Sequence, residues 1–488
     1  MTASIIKTLA GLVIVCCFSR QTAGSQANLA TATVSVAAAS YVRAIPGDFI
    51  GISEDHNDIA ALVGQASSGV NLAYRNLLKN LTDAGAGPLS LRVAADLMTP
   101  TTELPGVNGG VPNMPQSRIL EPLKELAQDV NVHYILGLEM ASNHSEYAAE
   151  EAKHYLAVIP KNVIDAFEIG NEPDNYQYQG YRQRGSYLID QYLDDWKKYR
   201  DAVVAAVGTE IPFMGPSAAG SAYNAGTIQH LGSGFDVKIY SQHAYPYGKD
   251  AANPPDLLLK SAASIKTVGG YQRYFAQIHA KGIRYRIGEM NSISGGGQAG
   301  LSDTFQATLW LIDTAFNYAQ AGFDGFNFHT GRYTKYNLWE FHTVGYKGHV
   351  SYDRLVVRAP YYGMLALAEV MGRQARLLTV STETSANLSV WATIDNTEHI
   401  HVIIVNKDEQ ASGNVQVKVP GYRTGTVSML TAPSYSSTSA ISLAGQTFDG
   451  STDGRLQGEK QVSLIEANHS LFTLNVPITS TVLLDLTK

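Results

Sequence analysis

Past Asp48, short apolar runs alternate along the chain with stretches in which apolar residues recur every three or four positions. The runs predict strands at 49–53, 89–93, 132–137, 164–170, 211–214, 236–241, 283–287 and 323–328. The stretches between them predict helices near 70–81, 117–127 and 148–158, from 256 to 280, from a Ser302-Asp303 cap to Ala321, and over 361–371. The clearest helix is marked by Leu188, Tyr192, Trp196, Tyr199 and Val203, whose spacings of four and three make one apolar face. Eight strand-then-helix units over roughly 320 residues have the count and size of a (β/α)8 TIM barrel, an α/β fold, here with long loops.

After Gly372 the pattern changes. Short strands at 390–393, 399–405, 415–419 and 471–476, some alternating with period two, are separated by turns rich in Gly, Ser and Asp such as Phe448-Asp449-Gly450-Ser451. No helical period returns before Lys488, which predicts an all-β sandwich. A Thr- and Val-rich segment at 31–37 is expected to add a strand to it. The expected organisation is a leader at 1–27, an N-terminal strand segment at 28–45, a barrel at 46–372 and a sandwich at 373–488.

The chain has 488 residues, 45% hydrophobic and 16% charged, enough for one large and one smaller folded unit. Its first residues, MTASIIKTLAGLVIVCCFSR, place Lys7 before an apolar core that ends in small residues. That is the layout of a secretory signal peptide, cut after Ala27 or Gly24, and too short for a membrane span. The expected product is secreted, extracellular or periplasmic. Cys16 and Cys17 both lie in this leader, so the mature chain has no thiol, disulfide or cysteine metal site. With Lys7 and Arg20 removed, 34 basic residues face 43 acidic ones, and the formal charge moves from −7 to −9. Such a balance argues against nucleic acid as a partner. Asn80, Asn143, Asn387 and Asn468 open Asn-x-Ser/Thr sequons.

Two carboxylates stand out. Glu172 follows the fourth strand in AFEIGNEPDNY, and Glu289 ends the seventh in YRIGEMNSIS, 117 positions later. Strand ends on this side of a barrel line the active site, and strands four and seven lie nearly opposite one another. An Asn-Glu pair in a turn is also a common solvated feature; its position in the barrel favours chemistry. Two facing carboxyls about 5–5.5 Å apart suit retaining glycosidic cleavage, one giving a proton to the leaving oxygen while the other attacks the anomeric carbon.

Asn171-Glu172-Pro173 and Gly288-Glu289-Met290 resemble the acid/base and nucleophile motifs of clan A glycoside hydrolases. The order barrel then sandwich, FNFHTGRY after strand eight and VRAPYYGM entering the last helix are similar to glycoside hydrolase family 79, the family of β-glucuronidases and heparanase-like enzymes. The resemblance implies that Glu172 is the acid/base, Glu289 the nucleophile, and Asn171 a partner of the sugar 2-hydroxyl. It implies that Tyr245, in SQHAYPYG, holds the nucleophile, although a tyrosine there also suits the pocket wall by packing alone. His243 is read as structural. A uronate is gripped in this family by main-chain amides and tyrosines of the loop after strand eight. Here that loop starts at His329 and Gly331 and offers Tyr336 or Tyr346. Arg332 and Lys335 supply charge directly or remain solvated.

Departures from the family occur after strands one and two, where Ser53-Glu54-Asp55-His56 and Arg92-Val93-Ala94-Ala95-Asp96 stand. Asp55 or Glu54, and Asp96, suit the 3- and 4-hydroxyls, yet extra acids repel a uronate. Glu54, Asp55, His56 and Asp58 have no metal-ligand spacing. Trp339 with Tyr333 is a candidate sugar-stacking pair, core packing being the commoner use of such rings. The resulting expectation is a secreted, retaining, cofactor-independent β-glucuronidase with a carbohydrate as its only partner and no membrane association. The alternatives are a clan A exo-glycosidase on a neutral sugar and a carbohydrate-binding protein without catalysis.

Overall fold

The computed structural model describes residues 27–28, 32–65, 69–94, 117–331, 334–344 and 351–488. Eight parallel strands close into a barrel. In chain order they are Ile50–Asp55, Leu89–Ala94, Val132–Leu138, Ile164–Ile169, Phe213–Ala218, Ile239–Ala244, Arg284–Met290 and Gly325–Thr330, the last pairing with the first. They are called barrel strands one to eight below. Every expected strand is present. Several lie one to four residues further along the chain than the apolar runs suggested, because strand five continues through Gly215 and Pro216 and strand six through the buried polar residues Ser241, Gln242 and His243.

The helix Ile189–Val207 buries Tyr192, Trp196, Tyr199 and Val203, the face its spacing predicts. Leu188 instead precedes the helix and is exposed. Each of the buried large side chains contributes about 1.5–3 kcal/mol relative to leaving it exposed. The stretch 256–280 is not one helix but short turns, Leu257–Leu259, Ser261–Ile265, Val268–Tyr271, Gln272–Tyr274 and Phe275–His279. Its paired Gly269 and Gly270 are poor helix formers. The helix Phe305–Ala321 starts one residue past Thr304 rather than at Ser302-Asp303. Ser302 Oγ is taken by the Gln298 amide, and Asp303 Oδ1 by the Gly300 amide. Among the elements not read from the sequence are a helix His56–Val63 directly after strand one and a hairpin Trp339–Val344/Ser351–Val357 after strand eight.

The C-terminal β unit is one continuous hydrogen-bonded sheet of eleven strands rather than two separate layers. The strand Ala32–Ala44 joins it, pairing with Arg376–Glu383 on one side and Ala411–Lys418 on the other. Two register shifts sit in the first of these pairings, and such irregularities bend strands. The sheet therefore curls, and Val34, Val36, Val415, Val417 and Phe472 from one half meet Val402, Ile404, Val482 and Leu484 from the other in a single apolar core. The longest of the strands that escaped the sequence reading are Arg376–Glu383, Thr424–Thr431 and Ser480–Thr487. The last is buried on both faces, so it shows no alternation.

The sheet packs on the barrel through the helix Phe305–Ala321. Phe316 stacks on Trp391 with ring centroids 5.3 Å apart, and buried Lys407 Nζ donates to Asp313 Oδ2 at 2.5 Å. Among the described residues no helix is long and apolar enough to cross a membrane.

Candidate active site

Period-two geometry turns alternate residues of each barrel strand inward, and inside this barrel several of them are charged. At the lower end Arg286 donates from Nε to Asn327 Oδ1 at 2.6 Å. Gly51 makes room for it, since a Cβ there would meet Arg286 Nη2 at 2.6 Å. Higher up, Arg92 from strand two donates from Nε to Glu168 Oε2 of strand four at 2.8 Å, both side chains fully buried. Ser217 Oγ donates to the other oxygen of Glu168.

The rest of the Arg92 guanidinium points up into the site. Nη1 donates to Ser53 Oγ and to Glu289 Oε2, each at 2.9 Å, and Nη2 to Asn171 Oδ1 at 2.8 Å. Tyr245 donates its hydroxyl to the other oxygen, Glu289 Oε1, at 2.5 Å. His243 Nδ1 and His329 Nδ1 lie 3.8 and 3.9 Å from Glu289 Oε2. Burial alone would favour a neutral Glu289, but His329, His243, Arg92 and the tyrosine hydroxyl outweigh it and hold this carboxyl far below the usual range. Burial likewise opposes the Arg92 charge, and Glu168 and Glu289 more than restore it.

Glu172 lies three residues past strand four, in a left-handed conformation with φ 50°. For a non-glycine residue this costs roughly 1–3 kcal/mol and persists only where neighbours enforce it. They do so here. The Glu172 amide donates to Ser217 O at 3.0 Å, and Asp174 accepts from the Ala219 and Gly220 amides at 2.9 and 2.8 Å. The side chain accepts from Asn175 Nδ2 at 3.0 Å and faces His243 Nδ1, also at 3.0 Å. One carboxylate oxygen each of Glu172 and Glu289 and one nitrogen of His243 lie within 4.8 Å of one another. This is the one group among the described residues with the geometry to hold a cation.

Strand parity separates Glu54 from Asp55. Asp55 faces the pocket, with His329 Nε2 4.0 Å away and its side chain 40% exposed. Glu54 points the other way, toward the helices. It is fully buried, near Tyr74, with no hydrogen-bond partner on either oxygen, and burial raises its pKa well above normal, Asp58 and Asp55 adding to the shift. Glu54 therefore does not meet a sugar in this pocket. His56, half-buried beside it in sequence, is pulled down to about 4 by desolvation of its ring.

Tyr336 is buried in the pocket wall, its ring 6.1 Å from that of Tyr245 and 5.7 Å from that of His329. The Gly331 amide donates to Asn337 Oδ1 at 3.3 Å. Lys335 is exposed, and its amide donates to Gly296 O. Trp339 is 3% exposed and packs edge-on against Tyr74 and Tyr361, a core residue rather than a sugar platform. Asp96, Arg332, Tyr333 and Tyr346 lie outside the described residues.

His243, expected to be structural, touches one carboxylate and nearly touches the other. Arg92, Glu168 and Ser53 were not singled out for chemistry at all. A signal for two of them was present: Leu-Ser-Leu-Arg-Val-Ala and Ala-Phe-Glu-Ile each carry one charge inside an otherwise strand-like run, and a lone charge there needs a partner across the barrel.

A closed eight-stranded barrel whose strand ends present two facing glutamates, followed by a large β sheet, is the fold of the clan A glycoside hydrolases. Among solved structures, a 4-O-α-L-rhamnosyl-β-D-glucuronidase from Fusarium oxysporum 12S matches with TM-score 0.71 and 19% identity, covering 93% of this chain and all of that one. A family 51 arabinofuranosidase from Xanthomonas axonopodis pv. citri matches with TM-score 0.68 and 13% identity, over 94% of this chain and all of that one. At such identities the likeness is one of fold. Residues 390–483 match the glycosyl hydrolase family 79 C-terminal beta domain. A β-glucuronidase of Aspergillus niger is 25% identical over 299 residues, 56% of this chain and 53% of that protein. A second, from Neurospora crassa, is 25% identical over 236 residues, 42% and 39% of the two chains. The chain thus spans about half the length, or less, of the curated relatives it matches. The resemblance to glycoside hydrolase family 79 read from the motifs is seen in these comparisons as well.

Proposed function

We propose that the protein is a retaining β-glycoside hydrolase that releases glucuronic acid from a glycan or glycoconjugate. The observation that carries this reading is the pair of carboxylate oxygens within 4.8 Å across the barrel mouth, one of them on a glutamate held ionised by Arg92 and Tyr245. In the first step Glu289 attacks the anomeric carbon while Glu172 passes its proton to the glycosidic oxygen, and the aglycone leaves. The glycosyl ester on Glu289 is then cleaved by a water whose proton returns to Glu172. With Nδ1 protonated, His243 donates to Glu172 Oε1 and steadies the carboxylate that the second step requires. Asn171, its Oδ1 already held by Arg92, is left with its amide N–H groups for the 2-hydroxyl.

The family resemblance and the two curated β-glucuronidase relatives support glucuronic acid as the sugar. The N-terminal leader supports secretion. A second reading, hydrolysis of a neutral β-glycoside by the same two glutamates, is favoured by one observation. The loop expected to receive a uronate is bordered by the carboxylates of Asp55 and Asp58, and its Gly331 amide is occupied.

The test is the rate on a matched pair of chromogenic substrates, a β-glucuronide and a β-glucoside, with Glu289→Gln as the blank. The expected outcome is turnover of the glucuronide and a loss of roughly 10⁴–10⁶-fold in the variant. Turnover of the glucoside alone selects the second reading. Equal rates for wild type and variant remove the two-glutamate mechanism.

A further inference from the structure

Barrel strand one delivers Asp55 to the pocket beside the first residues of the loop after strand eight. A Cβ at Gly331 would lie 3.5 Å from Asp55 Oδ2 and 3.7 Å from Asp58 Oδ2, so two carboxylates border this stretch of backbone. Resting on the glycosidase reading above, we propose that Asp55 sets the sugar preference of the pocket. A uronate can lie against the Gly331 backbone only when Asp55 carries a proton, whereas a neutral sugar presents no charge for it to repel.

The charged and titratable groups around Asp55 among the described residues define its electrostatics. Its own strand and the following helix contribute Glu54 and Asp58; strand two contributes Arg92; strands four and seven lead to Glu172 and Glu289. Strand eight contributes His329, and the loop after it Tyr336. Acids outnumber bases in this set. Burial first, then Glu289 and Glu172, raise the Asp55 pKa against the opposing charges of His329 and Arg92. The proton needed for a uronate is therefore held into a more alkaline range than an ordinary aspartate would allow. As pH rises through that range Asp55 becomes charged, and a second carboxylate beside it is repelled.

The ratio of kcat/KM for matched aryl β-glucuronide and β-glucoside, sharing one leaving group, isolates this effect. Any pH dependence of the bond-breaking step that the two substrates share cancels in the ratio. Over about pH 4 to 8 the wild-type ratio is expected to fall roughly tenfold or more, a tenfold change corresponding to one pKa unit of interaction. Asp55→Asn, which keeps the shape and removes the charge, is expected to flatten the profile and raise the ratio at neutral pH. Its remaining glucoside turnover reports that it has folded. A flat wild-type ratio that the variant leaves unchanged overturns the proposal while the glycosidase reading stands. If wild type hydrolyses only the glucoside, the glucuronide reading fails, and the variant decides: a gain of glucuronide turnover supports the proposal and no gain overturns it. If neither substrate is hydrolysed, both readings fall together.

Discussion

The core of the C-terminal sheet and the interior of the barrel are equally buried but filled by different rules. Val34, Val402, Ile404, Val417, Phe472 and Leu484 meet in the sheet with no charge among them. Inside the barrel, Arg92, Glu168, Arg286 and Asn327 are buried just as deeply. Apolar burial stabilises at about 25 cal/mol per Å², while each buried ion costs several kcal/mol unless its partners and hydrogen bonds are nearly complete. The barrel meets that condition for Arg92, which gives hydrogen bonds to four side chains. Arg286 has less acidic company, and burial pulls it down to about 10 despite Asp48. A sheet core that only has to hold its shape can be uniform. A barrel that holds an ionised Glu289 at its mouth needs a charge beneath it.

The difference can be broken at either end. Glu172→Ala strips a charge from the mouth, where the side chain is partly open to solvent, so the rate should suffer and the fold should not. Substrates with poor leaving groups are expected to slow roughly 10²–10⁴-fold, activated aryl glycosides much less, with the melting temperature unchanged. Equal losses on both substrate types would remove the acid role.

Arg92→Met reaches deeper. It leaves Glu168 a buried charge without its partner, and stability measured by urea titration should drop by roughly 3–5 kcal/mol. A loss well under 1 kcal/mol would mean that this pair is not what holds the barrel interior.

Glu54→Gln tests a buried acid that serves neither fold nor pocket through any hydrogen bond. The folded protein keeps its proton, whereas the unfolded chain releases it above about pH 4.3. Relative to the glutamine variant, wild type should therefore be equally stable near that pH and lose ground as pH rises toward the raised folded value. A gain for the variant of roughly 1–3 kcal/mol at neutral pH is expected from thermal melts. A difference that does not change with pH would show that Glu54 has the same proton affinity in both states.

The smallest effect is reserved for the sheet. Ile404→Val removes one methylene from an uncharged core and should cost about 0.5–1.5 kcal/mol with kcat untouched. A change in kcat would show that the sheet transmits to the site, against the division of labour described here.

Much of this arrangement was legible without coordinates because it rests on local patterns. Eight apolar runs in alternation with helical periods imply the barrel, and the helix face at Tyr192, Trp196, Tyr199 and Val203 follows from spacing alone. Glu172 and Glu289 were recognisable because a strand's end is a sequence feature and this fold places its site there. Where a helical stretch was broken, as over 256–280, or a strand was buried on both faces, as at Ser480–Thr487, the periodic signal was weak and the reading missed.

The meeting of charges was decided by tertiary structure. Nothing along the chain says that Arg92 bridges Glu168 and Glu289, or that His243 lies 3.0 Å from Glu172, because those residues are brought together only when the barrel closes. Nor does it say that Glu54 turns away while Asp55 turns in. A one-residue change of strand register would exchange them. Local periodicity thus determined most of the barrel's elements and placed two glutamates near strand ends; closure and parity decided which neighbours those glutamates acquired, since hydrogen bonds and buried charges depend on distance in space, which sequence separation does not measure.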